Sequence, residues 1–326
     1  MGELLDPRRL RKAASRIRGK IEGRVGTSIR RWRYVLDSKY LRNPVSTRRL
    51  TSEGSHLTPV QQEALADLRA RGIAFVSQER LGIDPADWRD LRELIDQFAA
   101  SERVRDRIHE FPALAAQKQL RGDDYMVKLY PEGPTLPPTN PLLRIGLCPA
   151  LLDVINHYLG LWSKLVYTDA WHTIPVDIGR RVGSQSWHRD PEDRRMVKAY
   201  LYCRDVDEGA GPMEYVPGSA SGGPYADLWP WRPRGTHAER YPSDEEVAAK
   251  IPRADRITCT GRAGTFVLCD TDGLHRGGIS TTSPRVLATW TFVTPAALGT
   301  TVQRRFTLAS ARALHVLSAA AMFALG

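Results

Sequence analysis

No pair of cysteines in this chain is spaced as C-x-x-C; Cys148, Cys203, Cys259 and Cys269 are the only four in 326 residues. A thiolate zinc site and a disulfide framework are therefore not expected, and the thiols read as packing residues of a reducing, cytoplasmic compartment. Long apolar runs are missing too. The first 25 residues hold many arginines but no secretory-type stretch. The apolar tail Ala313–Gly326 is shorter than the about 20 residues that a membrane span needs, so residues 301–326 are expected to be a C-terminal apolar helix that docks on the body. No internal repeat is present. The body also lacks net charge. Residues 1–55 contain 15 Lys and Arg against 5 Asp and Glu, the whole of the +10 excess, and the remainder carries 32 of each sign. A neutral body argues against a phosphate-tracking groove, so nucleic acid is not an expected partner.

The charge that is there lies in an N-terminal arm, residues 1–55. Leu10, Ala14, Ile17, Ile21 and Val25 recur at steps of three or four among basic residues, the pattern of a basic amphipathic helix. Such a helix suits an anionic membrane surface, peripheral to its inner face, and with it a lipid-linked substrate. Thr47–Ser52 then reads as a linker. Helices are expected from Thr58-Pro59 to Gly72, where Gln61 completes a capping box, from Asp84-Pro85 with Trp88, Leu91, Ile95 and Phe98 on one face, and from Pro149 to Gly160. Short β-branched and aromatic runs follow: Tyr125–Tyr130, Lys164–Ile174, Val197–Cys203, Met213–Val216, Gly264–Cys269 and Arg285–Val293. Helices do not alternate with them, which favours a mainly β jelly roll over a doubly wound sheet. The expected organisation is the arm, a jelly-roll domain over 56–300, and the C-terminal segment. Residues 219–262 form an insertion or lid within the domain, and its Ser243-Asp244-Glu245-Glu246 run reads as a helix start.

Trp187-His188-Arg189-Asp190 places a histidine and a carboxylate two residues apart, on one side of an extended chain. Asp272-Gly273-Leu274-His275 follows an apolar strand and offers a second imidazole. Two histidines and one carboxylate make a facial triad that suits Fe(II) and leaves three positions open. Arg285 begins the next strand; its planar guanidinium can hold the far carboxylate of a dicarboxylic co-substrate through two parallel hydrogen bonds.

These motifs, together with Tyr200-Leu201-Tyr202, the turn Asp207-Glu208-Gly209-Ala210-Gly211-Pro212 running into Met213–Ser219, and His275-Arg276-Gly277-Gly278, resemble the phytanoyl-CoA hydroxylase-like oxygenases over roughly residues 57–295. The resemblance implies a double-stranded β-helix, cupin-like core with buttressing helices. It also implies Fe(II) and 2-oxoglutarate as cofactors, with ascorbate sustaining activity, and hydroxylation of an unactivated C–H bond with release of succinate and CO2. By position, Tyr200 and Lys128 match residues at the co-substrate site. Asp190 is retained where halogenating relatives lack the carboxylate, so hydroxylation is expected; desaturation and ring chemistry stay open. Two places depart from the pattern. Ala220 follows Pro-Gly-Ser where histidine is usual, and Gly277 stands where a hydroxylated residue often lends the co-substrate a hydrogen bond. Trp171, His172, Trp229, Trp231 and Arg232 are candidates for contact with a small-molecule or sugar-like substrate, against the plainer reading that they pack. A catalytically silent, carbohydrate-binding jelly roll is the alternative for the whole chain.

Overall fold

The run Val286–Val293 has no charged residue at either parity, so a strand built from it has two faces to bury. The computed structural model describes residues 26, 28–54, 56–117, 122–175, 180–230, 242–309 and 317–326. Among them the strands are β1 (Ile73–Ser77), β2 (Met126–Lys128), β3 (Thr135–Leu136), β4 (Lys164–Thr173), β5 (Met196–Tyr202), β6 (Glu214–Tyr215), β7 (Ile257–Thr258), β8 (Thr265–Cys269), β9 (His275–Arg276), β10 (Val286–Val293) and β11 (Thr307–Leu308). Six make one antiparallel sheet in the order β1-β8-β5-β10-β4-β2, three make a second, β7-β6-β9, and β3 pairs with β11. All eight residues of β10 are buried.

Alternation along the strands divides the core. Tyr200, Tyr202, Val267, Cys269 and Leu287 turn inward and meet Tyr215 of the small sheet. Ala199, Leu201, Phe266, Leu268, Val286, Ala288, Trp290 and Phe292 turn outward and are covered by helices. That layering is the mainly β jelly roll with helical buttresses expected from the sequence. The helices include α1 (residues 28–39), α2 (Arg42–Glu53), α3 (Pro59–Arg71), α4 (Gln78–Leu81), α5 (Pro85–Ala99), α6 (Glu102–Ala116), α7 (Pro141–Leu147) and α8 (Pro149–Leu159), and α3, α5, α6, α7 and α8 are among those that cover the sheet. Thr58 and Gln61 complete the capping box of α3, and Gly72 ends it at φ 76°. A side chain at Gly72 is excluded twice, by that backbone and by the Tyr215 hydroxyl, which would lie 2.3 Å from its Cβ. Asp84 caps α5, and Leu91, Ile95 and Phe98 are its buried face. No single described helix is long and apolar enough to cross a membrane. The bent pair α7–α8 passes on length and composition, but most of its side chains lie in the core.

Two expectations change. Thr47–Ser52 is not a linker; it lies inside the helix Arg42–Glu53. Polar residues with weak helical preference are held there by tertiary bonds. Ser46 donates to the Trp162 carbonyl (2.6 Å), and Asn43 Oδ1 accepts from the Ala296 amide (3.0 Å). The C-terminal segment is not one helix either: Thr307–Leu308 joins a strand pair, and the helix spans Ala319–Leu325. The stripe Leu10 to Val25 lies outside the described residues.

Candidate metal centre and its cavity

An isolated antiparallel bridge joins His188 to His275, and each amide donates to the other's carbonyl at 2.9 and 3.0 Å. Residues 87 apart in sequence are thus set opposite one another, with ring centroids 4.3 Å apart. Asp190, on the same side as His188, brings its carboxylate to 3.5 Å from His275 Nε2 and 3.9 Å from His188 Nε2. One ligand atom from each of the three lies within 4.8 Å of the others.

Hydrogen bonding settles which ring nitrogens face the cluster. His188 Nδ1 lies 2.8 Å from the Ser186 carbonyl and His275 Nδ1 2.9 Å from the Gly273 carbonyl. A carbonyl only accepts, so each Nδ1 carries a hydrogen, and Nε2 is the ring nitrogen that can offer a lone pair to a cation. Burial, then the neighbouring His188, pushes His275 down to about 3, so it is neutral. Burial raises the Asp190 carboxyl, but Lys198 and both imidazoles outweigh it and hold it below its usual range. Two imidazoles with Nε2 turned to the cluster and one carboxylate at this spacing fit a divalent cation.

Lys198 was not anticipated. Its Nζ lies 2.7 Å from Asp190 Oδ2. Burial works against the ammonium, yet Asp190 and Glu192 outweigh it and raise its pKa. Strand parity carried the missing signal: the resemblance puts Tyr200 at the co-substrate site, and Lys198 is two residues before it on β5.

The cluster opens into a cavity of about 850 Å³ lined by Tyr125, Trp171, Lys198, Tyr200, Tyr202 and Arg285, among others. Arg285 is buried. One of its Nη atoms donates to the Gly211 carbonyl, while its Nε has no hydrogen-bond partner. Gly211 holds that carbonyl in place at φ 71°; a Cβ there would meet the Ile279 backbone at 2.6 Å. Beside Arg285, a Cβ on Gly277 would stand 3.6 Å from Nη2 and 3.7 Å from the Tyr125 hydroxyl. That hydroxyl is bonded to Ser184 Oγ at 2.7 Å. Burial pushes the Tyr125 phenol up to about 12, so it stays protonated.

The remaining candidates divide. Tyr200 and Trp171 line the cavity, their rings 6.2 Å apart. Lys128 sits at its rim, paired with Asp123 at 3.1 Å. His172 does not reach it. It pairs across the ladder with Val286, whose side chain faces the helices, and cross-strand partners share a face. Trp229 lines the cavity at φ 49°, with Lys250 Nζ 5.3 Å from its ring centre. Trp231 and Arg232 lie outside the described residues.

Residues between and beside the ligands fasten the insertion. Arg189 donates to the carbonyls of Ser219 (2.6 Å), Leu228 (2.9 Å) and Trp229 (2.7 Å), and to that of Asp272. Arg276 lies 4.4 Å over the Trp187 ring. It pairs with Glu214 at 2.6 Å and with Asp244, at the start of the helix Asp244–Lys250.

Residues 84–286 match the family model described as phytanoyl-CoA dioxygenase (PhyH). No match was found among curated proteins. Similar solved structures include the epimerase SnoN from nogalamycin biosynthesis with Fe3+, alpha ketoglutarate and nogalamycin RO. It is 16% identical, with TM-score 0.45, over 77% of this chain and 96% of that one. EctD from S. alaskensis with 2-oxoglutarate and 5-hydroxyectoine is 15% identical, with TM-score 0.45, over 74% and 79%. HygX from Streptomyces hygroscopicus with nickel and 2-oxoglutarate is 17% identical, with TM-score 0.44, over 74% and 88%.

Proposed function

Because the chain belongs to the phytanoyl-CoA dioxygenase family, we propose that His188, Asp190 and His275 hold Fe(II) and that Arg285 holds the far carboxylate of 2-oxoglutarate. The protein is an Fe(II)- and 2-oxoglutarate-dependent oxygenase, and the reaction we assign to it is hydroxylation of an unactivated C–H bond in a polar small molecule. The observation that carries the site is the convergence of two Nε2 lone pairs and one carboxylate within 4.8 Å, in a cavity whose wall holds a buried guanidinium. When bound, the iron and the keto acid supply oxygen activation, with succinate and CO2 as co-products.

The chain's own residues orient and shield that chemistry. The two Nδ1–H bonds to backbone carbonyls fix the ring planes of the histidines. Lys198 binds one Asp190 oxygen and keeps the carboxylate in one orientation. The orphaned Nε of Arg285 is satisfied by a carboxylate lying against the guanidinium. Gly277 lacks a hydroxyl, and the Tyr125–Ser184 pair beside it takes over the hydrogen bond that a hydroxylated residue there would make. Trp171, Tyr200 and Tyr202 form an aromatic wall that excludes water. Substrate lies between that wall and Trp229 with Lys250 on the insertion side.

Anaerobic titration tests this reading through the visible charge-transfer band of an Fe(II)–keto-acid chelate. Wild type should develop the band, and Asp190→Ala should not. Arg285→Ala should keep metal binding but need about 10–100-fold more 2-oxoglutarate, the worth of hydrogen bonds to a charged group. A wild-type protein that binds neither metal nor keto acid ends the assignment.

A further inference from the structure

Eight large apolar side chains stand exposed among the described residues, and six of them fall between positions 29 and 45: Ile29, Trp32, Leu36, Tyr40, Leu41 and Val45. Residues 28–39 are helical. Steps of three, four and four place Ile29, Trp32, Leu36 and Tyr40 on one stripe of that turn. The other side of the helix is the one that holds the body. Tyr34 donates to Asp193 at 2.5 Å and packs with Val166, Met196 and Val293. Asp37 is buried and lies 3.5 Å from Arg42. Tyr34 therefore fastens the helix to the body, and the helix presents its aliphatic and indole groups to solvent, the reverse of what burial on its own body would select. Around the stripe the charge has one sign. Residues 28–50 include Arg30, Arg31, Arg33, Lys39, Arg42, Arg48 and Arg49, against Asp37 as the single acid.

We propose that residues 29–45 are a docking surface for an anionic lipid bilayer. Ile29, Trp32, Leu36 and Tyr40 enter the interface, and the surrounding arginines meet the headgroups. Charge complementarity selects this occupant over a second copy of the chain, because a symmetric pairing would set one cationic patch against another. An aliphatic stripe headed by an indole also matches acyl chains better than a phosphate backbone. Tyr34 is bonded to Asp193, three residues after Asp190 on a segment whose Pro191 and Glu192 line the cavity, so the docked face lies on the flank that carries the carboxylate ligand. The surface stands independently of the reaction assigned to the cavity.

Co-sedimentation of the full chain with vesicles tests it, using phosphatidylcholine alone and phosphatidylcholine with phosphatidylglycerol, at low and high salt. Wild type should partition on the order of tenfold more onto the anionic vesicles, and salt should weaken the binding. The double variant Trp32→Asp/Leu36→Asp should lose on the order of tenfold in partitioning while keeping its melting temperature, both side chains being exposed. Ile108→Asp, at an exposed apolar position on α6, should bind as wild type does. Equal binding to neutral vesicles, or undiminished binding by the double variant, overturns the proposal. So does an absence of vesicle binding together with a dimer in light scattering that the double variant dissociates, which would make a second copy the occupant.

Discussion

Lys198 places a full positive charge beside the carboxylate that is to bind a cation, and the two demands on Asp190 meet at a single side chain. With no metal bound, the ammonium is the carboxylate's counter-charge inside the cavity, and removing one partner of a buried pair costs about 3 kcal/mol or more. Lys198→Met should accordingly lower the melting temperature of the metal-free protein. Added Mn(II) should then raise the variant's melting temperature by more than it raises that of wild type, because the metal replaces the counter-charge that the carboxylate has lost. Equal melting temperatures and equal metal shifts would leave Lys198 without the role given to it. The candidate ligands were readable from spacing, since the i, i+2 relation of His188 and Asp190 is a local property of extended chain. Lys198 was readable by the same rule applied one strand further on. The Tyr125–Ser184 pair was not, because its partners are 59 residues apart and nothing in either local run announces the other.

Neighbouring residues on one strand can have unrelated fates, and β4 offers a direct comparison. Trp171 faces the cavity, whereas His172 is buried on the helix side, where burial pushes its imidazole down to about 4 and keeps it neutral. His172→Leu keeps the volume and removes a buried polar group, so stability should change by no more than about 1 kcal/mol and 2-oxoglutarate affinity should stay constant. Trp171→Ala should widen the cavity and weaken keto-acid binding about tenfold through lost packing. Measuring both dissociation constants checks this; loss of binding in the histidine variant would return that ring to the cavity. At this scale the sequence was informative where signals are local. The caps at Thr58, Asp84 and Ser243 and the glycine stops at Gly72 and Gly160 all mark real boundaries. It was uninformative where partners decide. Ile73–Ser77 is a strand because β8 pairs with it along its whole length, and α6 continues through Pro112 against local preference.

Whole-molecule stability should record one carboxyl outside the metal cluster. Asp270, just beyond β8, is buried and pushed up to about 7, first by desolvation and then by neighbouring Asp272, while the Tyr158 hydroxyl bonds it at 2.7 Å. An unfolded aspartate titrates near about 4. Between those values the folded protein holds a proton that the unfolded chain has released, so stability falls as pH rises from about 4 to about 7 and is flat beyond. The span is up to about 4 kcal/mol. Asp270→Asn removes this dependence. Melting curves should show the variant gaining on wild type between pH 5 and pH 8, and a constant difference would refute the link. The charge asymmetry of the chain was legible from composition alone, and it lies in residues 1–55, the segment that also carries the exposed stripe. The exposed stripe at Ile29–Tyr40 was not singled out, since exposure depends on which face Tyr34 and Asp37 commit to the body.

Arg189 lies between the two candidate ligands His188 and Asp190 and reaches the other way, gripping six carbonyls, five of them in the segment 219–229. One tripeptide therefore joins two sites: its middle side chain is pinned to the insertion, and its outer two converge with His275. Whatever holds the residues 219–229 in place therefore also holds the backbone that carries His188 and Asp190.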